Sequence, residues 1–284
     1  MATAYYSDTN GVPKDGDGRV THLGLSAGEL APRVVSVGSL SRAQRLRDLM
    51  DSVSLSLTSP RGFTTYTGTV AGVAVSVVAT GMGAPMMDFC VREARQIVDG
   101  PMVFVRLGSC GGLSPEATPG TVVLNTPGSV YVSRNPDAFA GGEGGSTPAY
   151  TIARPVAPDP RLCAHVCVAL RAALGDRVVE GLNASADSFY AAQGRCDEHF
   201  DDRNSMVVPE VLAKHPDACS MEMESFALLH LAACSLGTIR ACTAAIVAAN
   251  RHSAAVITTE LLHETERVGG RAVLNAVASF GLYL

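Results

Sequence analysis

The chain has 284 residues, is 47% hydrophobic and 17% charged, and carries a formal charge of −5. Such a composition supplies a large core and excludes a disordered chain, and with no run of basic residues it argues against nucleic acid or an anionic membrane surface as the main partner. Eight cysteines, several of them inside apolar patterns (Cys90, Cys234, Cys242), suit a reducing compartment better than a disulfide framework.

No apolar run approaches the roughly 20 residues of a membrane helix, and the opening MATAYYSDTNGVPKDGDGRV lacks the apolar centre of a signal peptide. The expectation is therefore a soluble, cytoplasmic protein of one large or two small α/β domains. Residues 1–20, rich in Gly, Asp and small polar residues, read as a loose arm. His22 follows in Thr21-His22-Leu23-Gly24-Leu25; read alone, it is incidental.

Arg33 to Gly38, RVVSVG, reads as the first core strand, and Ser39-Leu40-Ser41 opens a helix to about Met50. A strand, a glycine and a helix N-terminus make an anion site. Arg42 falls in the first turn, where a cation opposes the helix dipole unless an anion is also present; the alternative is a solvated arginine. Phe63 to Ala79 reads as two strands about Ala71-Gly72, and a helix runs from about Pro85 to Val98. Gly81-x-Gly83 ends the second strand, but Met86 stands where a dinucleotide site needs its third glycine, and no GxxxxGK[ST] motif occurs.

Val103 to Leu113, VFVRLGSCGGL, is the most informative stretch. An apolar strand is interrupted by Arg106 and ends in Gly108, Ser109, Gly111 and Gly112. A guanidinium in a core strand is costly unless it meets an anion, and the glycines let backbone N–H groups approach a ligand. Arg106, the Ser109 hydroxyl and the backbone thus predict an anion cradle; the competing reading is an arginine reaching solvent or a structural carboxylate.

Thr121 to Asn125 reads as another strand, and Ser133 to Pro160, with GGEGG at its centre, as a surface excursion or lid. A helix spans about Arg161 to Leu174; Cys163 and Cys167 share one of its faces and His165 points away, which fails as a metal set. Val178 to Ala184 is a strand leading into SADSFYAAQGR, where Phe189, Gln193 and Arg195 could stack a planar heterocycle and bond its edge. Asp197, Glu198, Asp201 and Asp202 read as a solvated loop. SMEMES opens an apolar helix; Glu222 and Glu224, two apart, cannot share a face, and a carboxylate near the methionines could accept two vicinal hydroxyls. Ile239 to Ala249 is the last core strand, followed by Asn250-Arg251-His252 and a helix from about Thr258 to Phe280. Alternating strands and helices imply an α/β sandwich with one core.

The ordered set RLGSCGG, ASADSFYAAQGR and SMEMES resembles the uridine phosphorylases of the nucleoside phosphorylase superfamily, from about His22 to the C-terminal helix. The resemblance implies a single-domain, three-layer α/β/α sandwich over residues 21–284 with a central mixed, partly barrel-like sheet. It implies reversible phosphorolysis of uridine to uracil and ribose 1-phosphate in pyrimidine salvage. It places Gly38, Arg42, Arg106 and Ser109 on phosphate, joined by Arg61 from a neighbouring subunit. His22, also from the neighbour, is placed on the ribose 5′-hydroxyl, and Ser109, Glu222, Met223 and Glu224 on the rest of the sugar. Phe189, Gln193, Arg195 and Gly111 fall at the base. Arg195, Gln193, Arg106 and Glu224 would carry the catalysis. The further implications are a homo-oligomer, at least a dimer, with shared sites, and no cofactor, phosphate being a co-substrate.

Base choice follows from two features. Purine-cleaving relatives usually carry an aspartate just beyond the last core strand; here the sequence is Ile246-Val247-Ala248-Ala249-Asn250. The Gln193-x-Arg195 pair is the pyrimidine signature. The departures from the family pattern are Ser39-Leu40 after Gly38, Ser109 for a threonine, Gly194 for a glutamate, and Gly62 and Met86 at positions that help form an intersubunit monovalent-cation site in many bacterial relatives.

Overall fold

The computed structural model describes residues 8, 10–140 and 147–283. In chain order its main elements are β1 (Arg33–Val37), α1 (Leu40–Arg47), β2 (Ser52–Thr58), β3 (Thr64–Val70), β4 (Val73–Ala79), α2 (Ala84–Ile97), β5 (Met102–Gly112), β6 (Val122–Leu124), β7 (Ser129–Arg134), β8 (Tyr150–Ile152), α3 (Pro160–Leu174), β9 (Val178–Glu180), β10 (Leu182–Ala186), α4 (Val207–Lys214), β11 (Ala218–Glu222), α5 (Ser225–Ala233), β12 (Ile239–Asn250) and α6 (Thr259–Ser279). The strands form one mixed sheet of order β2-β3-β4-β1-β5-β11-β10-β7-β8, from which β12, β6 and β9 branch at β5.

β5 is central because its sequence suits burial on both faces. Val103, Val105 and Leu107 pack with residues of α1, α3 and α6, whereas Met102 and Phe104 pack with α2 and α5. The period-two alternation thus feeds two cores with helices on either side. Three helices, α1, α3 and α6, start where side chains accept orphan N–H groups: Ser39 from Arg42, Asp159 from Leu162 and Thr258 from Leu261. α3 then buries Leu162, Val166, Leu170 and Leu174 along one stripe. Each such side chain contributes about 1.5–3 kcal/mol, so Leu170→Ala would cost roughly 2–5 kcal/mol.

Several readings of the sequence change. The barrel-like character takes the form of a fork: β12 pairs β5 in parallel along its length, while β11 pairs it antiparallel at Gly111 and Gly112. The stretch 178–184 is two strands, not one. β9 pairs β6 and β10 pairs β7 and β11, so the chain changes partners at Gly181, where a Cβ would lie 2.3 Å from that of Cys219. The 133–160 excursion is tied at its base by a short antiparallel pairing, with Val132 opposite Ile152 and Arg134 opposite Tyr150; its GGEGG centre lies outside the described residues. The loose arm fails for residues 10–20. Lys14 bridges Val20, Arg19 pairs with Glu29 at 2.6 Å, and Val12 packs on the core. Its first residues, 1–7 and 9, lie outside the described set.

Candidate active site

β1, β4, β5 and β12 run parallel, so their carboxyl ends share one edge of the sheet. β11 meets β5 head-on, which brings the carboxyl ends of β11 and its parallel neighbour β10 to the same edge. Ligands of open α/β sheets bind at such carboxyl ends. A cleft of about 450 Å³ lies there, lined by Gly38 after β1, Arg42 of α1, Met82 after β4, Arg106 and Ser109 to Gly111 of β5, the segment after β10, the β11–α5 junction and the end of β12.

Two guanidiniums anchor one part of the cleft. Arg106 is 2% exposed; its NH2 donates to Glu224 Oε2 at 2.6 Å and its NH1 to Thr80 Oγ1 at 3.3 Å. Its Nε is buried without a hydrogen-bond partner among the described residues, with Glu222 Oε2 3.9 Å away. Of the alternatives weighed for this arginine, the structure shows the carboxylate partner, Glu224. Arg42 is also buried. Its Nε donates to Glu266 Oε1 at 2.8 Å, its NH1 to the Leu107 carbonyl at 3.2 Å, and its NH2 to the Ser109 hydroxyl. Desolvation lowers its pKa, partly offset by Glu266, and Arg106 adds a further lowering push. Gly38 brings bare backbone alongside, since a Cβ there would lie 3.5 Å from Arg106 NH2.

The two glutamates of SMEMES do different work, and the reading of both in one helical turn is corrected. Glu222 ends β11; Glu224 caps α5. The Glu222 carboxylate accepts from Asn183 Nδ2 at 2.7 Å, Ser185 Oγ at 2.5 Å, and the backbone N–H groups of Glu224 and Ser225, each at 2.9 Å. Those donors occupy its acceptor sites and make it a buried cap on α5, at a position that also lines the cleft. Glu224 is the carboxylate turned to the cleft. It accepts from Arg106 and from the Gly83 N–H at 2.5 Å, a donor that a φ of +100° aims and that a side chain at Gly83 would strain. Burial raises the Glu224 pKa above the usual carboxylate range, Glu222 raises it further, and Arg106 opposes both.

A second group gathers after β10. The Arg195 guanidinium lies 4.1 Å from the Phe189 ring centroid, its Nε buried and unpartnered among the described residues. Desolvation and then the charge of Arg251 lower its pKa. Gln193 is buried and Phe189 is 44% exposed at the mouth. Arg251 lacked a role in the sequence reading. It donates to the Gln193 carbonyl at 3.0 Å and the Gly194 carbonyl at 3.3 Å, and its stem crosses over Gly111. Glu266 was also missed; the available signal was an acidic residue within the buried stripe of α6.

Arg61 and His22 do not reach this cleft in the chain itself. Arg61 lines a separate cavity of about 300 Å³ with Thr21 and Arg19. His22 stacks on Phe89 with ring centroids 3.8 Å apart, its Nδ1 2.5 Å from Glu93 Oε1. Glu93 is buried and also accepts from the His22 and Leu23 N–H groups. Asn250, the last residue of β12, donates to the Ser114 and Ala117 carbonyls and accepts from the His252 and Ser253 N–H groups.

Paired guanidiniums, a buried carboxylate and an aromatic-amide-guanidinium group in one cleft define an α/β enzyme for a small polar substrate carrying anionic, hydroxylated and planar parts. The chain belongs to the Phosphorylase superfamily, whose family model matches residues 32–280. It is 28% identical over 264 residues to the uridine phosphorylase of Escherichia coli K12, covering 90% of this chain and 96% of that one. A purine nucleoside phosphorylase of DeoD type from Geobacillus kaustophilus is 31% identical, but over 120 residues, 42% of this chain and 50% of the relative. Among solved structures, one from work on two uridine phosphorylases of the oomycete Phytophthora capsici superposes with a TM-score of 0.93 at 45% identity, covering 98% of this chain and 100% of that one. A Trypanosoma brucei nucleoside phosphorylase shares the fold, with a TM-score of 0.78 at 21% identity over 95% of this chain and 100% of that one.

Proposed function

We propose that the protein catalyses the reversible phosphorolysis of uridine to uracil and ribose 1-phosphate, as part of pyrimidine salvage in the cytoplasm. The observation that carries this reading is the Arg106–Glu224 contact of 2.6 Å, which sets a cation for the nucleophile against an acceptor for the sugar in one cleft. Phosphate sits on Arg42, Arg106, Ser109 and the backbone of Gly38 through charge-assisted bonds. Glu224 accepts from the ribose hydroxyls beside Met223. The base lies against Phe189 and Gly111, its edge toward Gln193 and Arg195.

Holding both substrates together turns a bimolecular step into a local one. The C1′–N1 bond of uridine loosens, its electron pair leaving with uracil and giving the sugar oxocarbenium character. A phosphate oxygen then forms the new bond to C1′. The uracil anion carries charge on its carbonyl oxygens, where Arg195 and Gln193 donate; Arg251 locks the backbone that presents them. One such donor is worth about 3 kcal/mol in the transition state. The chemistry asks for no metal or organic cofactor, and phosphate is the second substrate. A pyrimidine is favoured because Ile246 to Asn250 carries no aspartate to protonate a purine ring and Gln193 and Arg195 stand together at the cleft. His22 and Arg61 complete the cleft of a second copy, which makes the working unit at least a dimer.

The decisive experiment incubates enzyme and uridine with and without inorganic phosphate and follows uracil. Uracil formed only with phosphate, together with ribose 1-phosphate, is expected. Equal turnover without phosphate would make the protein a nucleosidase, and no uracil under any condition would end the reading.

A further inference from the structure

The two cleft arginines are balanced differently. Arg106 pairs with Glu224, itself a lining group of the cleft. Arg42 pairs with Glu266, which is 2% exposed and stands behind it on α6, outside the lining of the cleft. Both oxygens of Glu266 are committed: Oε1 accepts from Arg42 Nε and Oε2 from Arg45 NH1 at 2.9 Å. Arg45 is held in turn by His263 Nε2 at 2.6 Å from its NH2.

We propose that Glu266 is a positioning residue for the phosphate nucleophile, acting through Arg42; this inference rests on the phosphorolytic reading above. The geometry supplies the reason. An arginine has five donors in a rigid planar fork. Fixing Nε against Glu266 and NH1 against the Leu107 carbonyl fixes the plane and leaves NH2, beside the Ser109 hydroxyl, pointed into the cleft. Without that grip the side chain keeps several rotamers of similar energy, and ordering it on each binding event weakens the bound state. Sharing one carboxylate between two guanidiniums also leaves a net positive charge around Arg42, so the anchor does not cancel the attraction for an anion. Burial lowers the pKa of Arg42 and Glu266 opposes that, in keeping with a carboxylate that maintains a charged guanidinium in a dry site.

A purely structural tie between α1 and α6 would affect both substrates alike or neither. Glu266→Gln keeps the shape, an acceptor toward Arg42 Nε and the packing of α6, but removes the charge. The expected result is a KM for phosphate raised roughly tenfold with the KM for uridine within about twofold. Phosphate affinity measured by calorimetry on the free enzyme should fall by the same factor. In an Arg42→Gln background the same substitution should produce no further loss, because Glu266 works only through that arginine. If Glu266→Gln does not fold, the double variant, with neither charge buried alone, still gives the comparison with Arg42→Gln. An unchanged phosphate affinity, parallel changes in both KM values, or a full additional loss in the Arg42→Gln background would each overturn the proposal. The calorimetric arm uses phosphate alone, so it tests Glu266 even if uridine is not the nucleoside.

Discussion

Arg106→Met removes the guanidinium from the centre of β5 and keeps an unbranched side chain of similar length. The hydrogen bond of 2.6 Å to Glu224 is lost, and Glu224, 4% exposed, retains the Gly83 N–H as its donor among the described residues. Breaking a buried pair by removing one partner typically costs about 3–5 kcal/mol, because the remaining charge is neither solvated nor compensated. Glu224 has a way out. Burial already raises its pKa, and loss of Arg106 removes the strongest opposing influence, so the carboxyl takes up a proton.

The sign of the pH dependence follows. A carboxyl whose folded pKa lies above its unfolded value contributes stability below the unfolded pKa and loses it as pH rises through the folded pKa. The penalty of Arg106→Met should therefore be largest at about pH 8 and shrink toward about pH 5. Adding Glu224→Gln should restore most of the lost stability at both pH values without restoring activity. The assay is urea denaturation of wild type, both single variants and the double variant at the two pH values. A penalty independent of pH, or a double variant as unstable as Arg106→Met, would refute the argument that the uncompensated Glu224 charge is the cause.

Arg195→Ala should lower kcat for uridine by roughly 100-fold while leaving phosphate affinity within about twofold; uracil release at the wild-type rate would remove Arg195 from its role at the leaving group. Nucleoside affinity should weaken as pH falls through the raised Glu224 pKa, because the protonated carboxyl has lost an acceptor; a profile that breaks only in the ordinary carboxylate range would contradict this, as would a Glu224→Gln variant with the wild-type profile. Arg61→Ala and Arg195→Ala should each be nearly inactive alone, yet regain activity when unfolded together and refolded as a mixture, since a mixed dimer then contains one cleft with both arginines; no recovery in the mixture would show that Arg61 does not complete a neighbour's site.

Much of the cleft was legible because its chemistry conflicts with local rules. Arg106 stands out as a charge in an apolar strand, and Arg42 as a cation in a helix's first turn. The aromatic-amide-guanidinium run after β10 is local in sequence and stayed together in space. What remained hidden depended on distant partners. Glu222 and Glu224 look equivalent in SMEMES, and only the donors on Asn183 and Ser185, about 40 residues upstream, make one a structural cap. Glu266 resembles other acidic residues of an amphipathic helix until α6 packs against α1 and shows which face is inside. The break at Gly181 is likewise invisible locally, because pairing with β6 on one side and with β7 and β11 on the other is a long-range choice.

The contrast between Arg42 and Arg106 has a mechanistic consequence. Glu266 is buried behind Arg42, outside the lining of the cleft, with each oxygen in an ion pair, so no cleft ligand should compete for the Arg42 pair. Glu224 lines the cleft, so on the proposed reading sugar hydroxyls should compete with Arg106 for the same oxygens. Nucleoside binding should then loosen Arg106 from its carboxylate and free donor capacity for phosphate, and phosphate should draw Arg106 away and free Glu224 for the sugar. The expected outcome is that each substrate lowers the cost of binding the other, by linkage equally in both directions. A Glu224→Gln variant should then bind phosphate with an affinity that no longer responds to nucleoside. Calorimetric phosphate titrations with and without an uncleavable uridine analogue measure this. Equal coupling in wild type and variant would place the communication elsewhere than in the Arg106–Glu224 pair.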